Sequence, residues 1–119
     1  MEPHERFVAW VRAHDCVQAI YRSTQTWPIE ERYGLSVEIR RAARSVATNI
    51  VEGSARKTTR DYVHFLTVAL GSASEARYLI GLAHRLGMMD ARTRDVLYAR
   101  YTDLLRAMAK LMAALDRST

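Results

Sequence analysis

Apolar residues recur at intervals of three and four along nearly the whole chain, and helix-breaking residues interrupt them at only three places. That spacing belongs to the α-helix, in which positions three and four apart share a face. Four long helices are therefore expected, over 7–26, 36–52, 59–86 and 91–116, in one domain spanning 1–119. In the first, Phe7, Trp10, Val11, His14, Val17, Ile20, Tyr21 and Thr24 form the expected inward face. Trp27-Pro28 ends it, because proline disfavours helical geometry in the residue before it, and Pro28 to Tyr33 is expected to make a short helical turn. Gly34 then lets the chain reorient.

Ser36 is the expected N-cap of the second helix, whose inward positions are Leu35, Ile39, Ala42 or Ala43, Val46 and Ile50, with Gly53 as its end. Thr58 and Asp61 have the spacing of a capping box and open the third helix. Its stripe of Tyr62, Phe65 or Leu66, Ala69, Ala73, Ala76, Ile80 and Ala83 runs to Gly87, a natural C-terminal glycine. Asp90 caps the fourth, where Leu97, Tyr101, Leu104, Met108, Leu111 and Leu115 alternate spacings of four and three as in a coiled-coil seam. Four long helices on short connections pack best as an all-α, antiparallel up-down-up-down four-helix bundle. Tyr78 and Leu79 on the third helix, and Leu105 and Met112 on the fourth, add second apolar edges, which point to packing against another subunit.

Several chemistries lack their residues. A single cysteine, Cys16, cannot form an internal disulfide or a cysteine zinc site, so a reducing, cytoplasmic address is expected, with Cys16 an inert buried thiol. The segment Met1-Glu2-Pro3-His4-Glu5-Arg6 leads into no apolar signal core, and no stretch approaches the ~20 apolar residues of a membrane span. Di-iron bundles need Glu-x-x-His twice, whereas Asp61-Tyr62-Val63-His64 comes near it once and with the wrong acid. His4, His14, His64 and His84 are scattered, Gly71-Ser72-Ala73-Ser74 is no nucleophile elbow, and no phosphate-cradling glycine loop occurs. No catalytic residue, metal or cofactor is expected.

The charges carry more. Eighteen Lys and Arg against 13 Asp and Glu give +5, which points to an anionic partner, and arginine suits bidentate phosphate contacts. Arg40, Arg41 and Arg44 cluster on the second helix, and Arg56, Lys57 and Arg60 at the loop after it. Arg40, Arg44, Arg56, Lys57 and Arg60 are the candidate nucleic-acid contacts. Arg41 points about 100° away from Arg40. A hairpin folded about that loop sets Arg41 near Gly71 with Glu75 within a turn, so an Arg41–Glu75 link is expected. Glu52 opposes the dipole at its helix end and calls for Arg56, Arg60 or a donor from another subunit. In the alternative, a protein-interaction scaffold without nucleic-acid binding, the Arg40, Arg41 and Arg44 cluster is buried against Glu38, Glu52 or Glu75.

Tyr33-Gly34-Leu35, Ile39-Arg40-Arg41-Ala42-Ala43, Ser45, Asn49-Ile50-Val51-Glu52-Gly53, Phe65-Leu66, Ala69, Gly71-Ser72 and Glu75, with Trp10, Ala13 and Trp27-Pro28, cover nearly the whole chain. Together they resemble the bacterial four-helix bundle family named for the protein encoded in intervening sequences of 23S ribosomal RNA genes. Asn-Ile-x-Glu-Gly after Arg-Arg-Ala is the specific part, and Arg41, Asn49, Glu52, Gly53, Gly71 and Glu75 are its motif positions here. Glu38 stands where glutamine is usual, Ala47 for proline, Val51 for alanine and Ala73 for leucine. The resemblance implies a bundle assembled as a ring, typically a homopentamer, with no enzymatic activity and an RNA or nucleoprotein partner. A related bundle in diversity-generating retroelements serves as a basic accessory partner of a reverse transcriptase.

Overall fold

Caps set the helix boundaries. The computed structural model describes residues 3–31 and 34–117. They form helices α1 (Pro3–Thr24), α2 (Leu35–Ser54), α3 (Thr59–Arg85) and α4 (Ala91–Arg117), with a single 3-10 turn at Ile29–Glu31. The Tyr33 end of the expected turn lies outside the described residues. At α3 the Thr58 hydroxyl accepts from the Asp61 N–H at 3.1 Å, and at α4 the Asp90 carboxylate accepts from the Thr93 N–H at 2.7 Å. That bond holds the Asp90 carboxyl below its ordinary pKa. α3 closes in a Schellman turn: the Met88 N–H reaches the Ala83 carbonyl, the Gly87 N–H reaches that of His84, and Gly87 takes a φ of 78°.

Ser36 does not cap α2. The helix starts one residue earlier, at Leu35, and the Ser36 hydroxyl donates backwards to the Glu31 carbonyl at 2.5 Å, tying α2 to the 3-10 turn. α1 ends at Thr24 rather than at 26, because the Trp27 N–H turns back onto the Thr24 carbonyl at 3.1 Å.

The larger correction concerns the face of α1. Its buried residues are Ala9, Ala13, Cys16, Ile20 and Thr24, whereas Phe7 is 64% and Trp10 40% exposed. His14 is exposed as well and stacks on Trp10 with ring centroids 5.3 Å apart. Small side chains let α1 lie close on its neighbours, so Phe7, Trp10 and His14 of the expected stripe turn outward while its later members Ile20 and Thr24 are buried and Val17 packs against the core. On the other helices the expected stripes do face inward, with both Ala42 and Ala43 buried and Leu66 taken into the core in preference to Phe65. Each fully buried leucine or isoleucine among them contributes about 1.5–3 kcal/mol.

Each helix packs on the two beside it in the cycle α1, α2, α3, α4, and none packs on its diagonal partner. The α2–α3 seam, rich in alanine, is the closest. Along it Arg41 meets Glu75, Ser45 meets Ser72 at 2.7 Å, and Gly53 lies against Tyr62 and Phe65, so numbering rises on α2 as it falls on α3. This register lies about a turn beyond the one that would set Arg41 beside Gly71. The molecule measures 47 × 24 × 17 Å. One end gathers the start of α1, the end of α2, the start of α3 and the end of α4, as shared depressions lined by Phe7 and Val51, by Glu5 and Lys110, and by Arg60 and Met112 record. The opposite end holds the 88–90 connection, with Ser23 close to Thr93 and Gly81 close to Tyr98.

Candidate functional site

The five arginines and lysines singled out as phosphate contacts divide into engaged and unengaged groups. Arg40 and Arg44 do share a face of α2, but that face addresses α1. The Arg40 Nε donates to the Thr24 hydroxyl at 2.8 Å, its Nη2 to the Tyr21 carbonyl at 3.5 Å, and its guanidinium lies 4.5 Å from the Tyr21 ring centroid. Arg44 donates to the Tyr21 hydroxyl at 2.5 Å. Both thus lace the start of α2 to the last turn of α1, where carbonyls left over at a helix end attract cations. Arg56 donates to the Glu52 carboxylate and covers the Phe65 ring at 4.9 Å, which answers the charge of Glu52 at the unfavourable end of α2. Lys57 and Arg60 are exposed beside the start of α3 and have no ion pair or hydrogen-bond partner among the described residues.

Arg41 bridges two carboxylates, Glu38 at 2.9 Å and Glu75 across the α2–α3 seam. Those hydrogen bonds, Glu38's foremost, raise its pKa above the ordinary arginine value. Asn49 donates to the Ser45 carbonyl at 2.8 Å and to the Ser45 hydroxyl at 3.2 Å, which in turn shares a hydrogen bond with Ser72. Arg41, Asn49, Glu52 and Glu75 are in this way bound into the α2–α3 pair.

The two motif glycines differ. A Cβ on Gly53 would lie 2.9 Å from Phe65 Cβ and 2.9 Å from a Tyr62 ring carbon, so close approach of α3 requires glycine there. Gly71 is exposed in the middle of α3, and a Cβ on it would meet nothing within 4 Å. Gly71→Ala should therefore stabilise the isolated chain by about 0.5–1 kcal/mol, the helix-propensity gain, read as a raised thermal midpoint. A lowered midpoint would mean that the backbone here is held by something that alanine displaces.

Three surface depressions went unforeseen. Phe7, Trp10, Val51 and the edge of Ile50, with Arg6 and Ser54, line an apolar one of about 260 Å³ between α1 and α2. Arg22, Arg92 and Arg100 converge on another of about 280 Å³ between α1 and α4. Arg77, Tyr78, Arg85 and Tyr98 surround a third of about 340 Å³ between α3 and α4. The sequence signal for the last was available: reflecting α4 onto α3 about the 88–90 connection brings Tyr98 beside Arg77 and Gly81.

Inside the core, burial pushes the Cys16 thiol up to about 12 from 9.0, against the smaller opposing pull of Arg100. The Tyr62 and Tyr101 hydroxyls are buried and have no hydrogen-bond partner among the described residues, and burial raises both. Among the described residues no three His, Cys, Asp or Glu side chains are grouped so as to hold a metal ion, and no helix is long and apolar enough to cross a membrane.

A family model described as 23S rRNA-intervening sequence protein matches residues 5–110. Among solved structures, the crystal structure of a protein of unknown function from the S23 ribosomal protein family of Bacteroides thetaiotaomicron is similar, with a TM-score of 0.82 at 17% identity. The match covers 92% of this chain and 98% of that one, and at such identity it speaks for the fold alone. No curated protein matches.

Proposed function

Because the chain belongs to the 23S rRNA-intervening sequence protein family, we propose that it is a non-enzymatic, cytoplasmic, basic four-helix bundle that forms a homo-oligomer and associates with RNA. The bundle acts as one unit of up-down-up-down topology. Opposed numbering along α2 and α3, and the gathering of helix starts and ends at each end of the molecule, support that topology.

The oligomer is supported by the outward aromatic stripe of α1. Phe7, Trp10 and Val51 leave apolar surface around a depression with no occupant among the described residues, and a second copy covers it. A five-membered ring, as the family resemblance implies, multiplies the +5 of each chain fivefold.

The observation that carries the RNA reading is that many cations have no ion pair or hydrogen-bond partner among the described residues, including Lys57 and Arg60 at one end, and Arg22, Arg77, Arg85, Arg92 and Arg100 toward the other. Arg40, Arg44 and Arg56 add to the field but have their donors engaged within the chain. A scaffold without RNA affinity is the second reading, favoured by Arg41 between Glu38 and Glu75 and by Arg56 on Glu52.

Native mass spectrometry and fluorescence anisotropy with a single-stranded RNA test both parts. The expected mass is a multiple of the 13.6 kDa chain, reduced to one chain by Trp10→Glu. Affinity should fall steeply with salt, with a logarithmic slope of about −0.7 per phosphate contacted. A monomeric mass removes the oligomer, and a flat salt response hands the function to the scaffold reading.

A further inference from the structure

We infer that the groove between α3 and α4 near the 88–90 connection receives a nucleotide of single-stranded RNA, its base against Tyr78 and Tyr98 and its phosphate on Arg77 and Arg85. This rests on the RNA association proposed above and gives it a location. Arg77, Tyr78, Gly81, Leu82, Arg85 and Tyr98 line a concavity of about 340 Å³, a volume within the range of small-ligand sites. No carboxylate is among them. The Arg77 guanidinium lies 5.4 Å from the Tyr98 ring centroid, and neither Arg77 nor Arg85 has an ion pair among the described residues. The nearest acid along α4, Asp95, is engaged by Arg94 at 2.9 Å.

Tyr78 is 67% exposed, so the core does not account for it. Gly81 does account for Tyr98: a Cβ there would lie 2.7 Å from the Tyr98 hydroxyl, so the missing side chain lets that ring cross onto the α3 backbone and line the groove. The result is two cations and two π-faces in one concavity. That pairing suits an anion that also carries aromatic faces, and it is the means by which proteins hold single-stranded nucleic acid without reading sequence.

Among the described residues no other depression joins two cations to two rings without a carboxylate. Arg22, Arg92 and Arg100 offer charge between α1 and α4 without an aromatic ring, and suit any polyanion. Phe7 and Trp10 offer rings among apolar Ile50 and Val51 with one arginine, and suit an apolar partner. Two rings beside two cations in the α3–α4 groove suit a strand with exposed bases better than a duplex or a polysaccharide sulfate, whose charge is not accompanied by free base faces.

The test uses the full chain and three probes: a ~12-nucleotide oligouridylate, an RNA duplex of the same length, and heparin. Tyr78→Ala removes an exposed ring, and an unchanged thermal melt verifies its fold. It should weaken oligouridylate binding about tenfold and leave duplex and heparin within about twofold. Arg85→Gln should weaken all three and lower the salt slope for the oligouridylate by about 0.7. If Tyr78→Ala binds oligouridylate as the parent does while Lys57→Gln/Arg60→Gln binds it weakly, RNA association stands and the α3–α4 location falls. An equal loss on all three probes also overturns it, since no base would then be stacked. A parent protein that binds neither RNA at low salt overturns both proposals together.

Discussion

Gly53→Val should cost the fold about 3 kcal/mol or more, a loss on the scale of truncating a fully buried core residue. Even the first added carbon would lie 2.9 Å from Phe65 Cβ and from the Tyr62 ring, and 3.2 Å from the Tyr62 carbonyl oxygen. None of these atoms is the far end of a flexible side chain, so relief requires moving the start of α3. Branching at Cβ adds two further methyls to the same space. In urea unfolding the midpoint should fall by roughly 1–3 M with little change in slope. Gly53→Ala should also lose stability, by about 1–2 kcal/mol, despite the helix-propensity gain of alanine. An alanine variant as stable as the parent would show that the crossing can yield, and the valine prediction would go with it.

Alkali should unfold the protein well before its arginines titrate. The unfolded chain releases the Cys16 proton near its ordinary 9.0, whereas the folded chain holds it until about 12, because a thiolate would have to form inside the core. The folded state therefore binds more protons across that window. Stability is intact below pH 9 and falls as pH rises, by about 1.4 kcal/mol per unit and about 4 kcal/mol by pH 12. The buried Tyr62 and Tyr101 hydroxyls, also raised, steepen the loss above their ordinary 10.0. Equilibrium unfolding of the parent and of Cys16→Ala at pH 8, 9, 10 and 11 isolates the thiol. The parent should lose stability faster than the variant from pH 9 upward, and parallel slopes would remove Cys16 as the cause.

The stripes of α2, α3 and α4 could be read from periodicity because each offers one face on which large apolar residues coincide with small ones. α1 offers two. Phe7, Trp10 and His14 satisfy the spacing of three and four as well as Ala9, Ala13 and Cys16 do, and both sets run on into the buried Ile20 and Thr24, so hydrophobic bulk favours the wrong set only over the first half of the helix. Which set turns inward depends on how closely the neighbouring helices approach, a property of the partners rather than of α1. The role of Arg40 and Arg44 was hidden for a different reason: their acceptors Thr24 and Tyr21 do lie on the expected face of α1, but the register of α1 against α2 cannot be read from either helix alone. Arg41 and Glu75, by contrast, could be paired from the hairpin alone, since their short connection limits the register to within a turn. Arg85 and Tyr98 are unremarkable one by one, Tyr78 reads only as part of an apolar edge, and the three gain their joint meaning where α3 and α4 are set side by side.

The start of α1 and the end of α4 lie at the end of the molecule that holds the 55–58 connection, where His4 and Glu5 share a depression with Lys110. The rod is 47 Å long, and the arginine–tyrosine groove lies toward its opposite end. An affinity handle or fluorophore attached to the first turn of α1 or the last turn of α4 is therefore far from that groove and close to the outward aromatic stripe of α1. Surface immobilisation through such a handle orients every molecule alike, with the groove toward the solution and the Phe7–Trp10 face beside the support. The same attachment that leaves the groove open to a strand in solution crowds the face through which copies would meet.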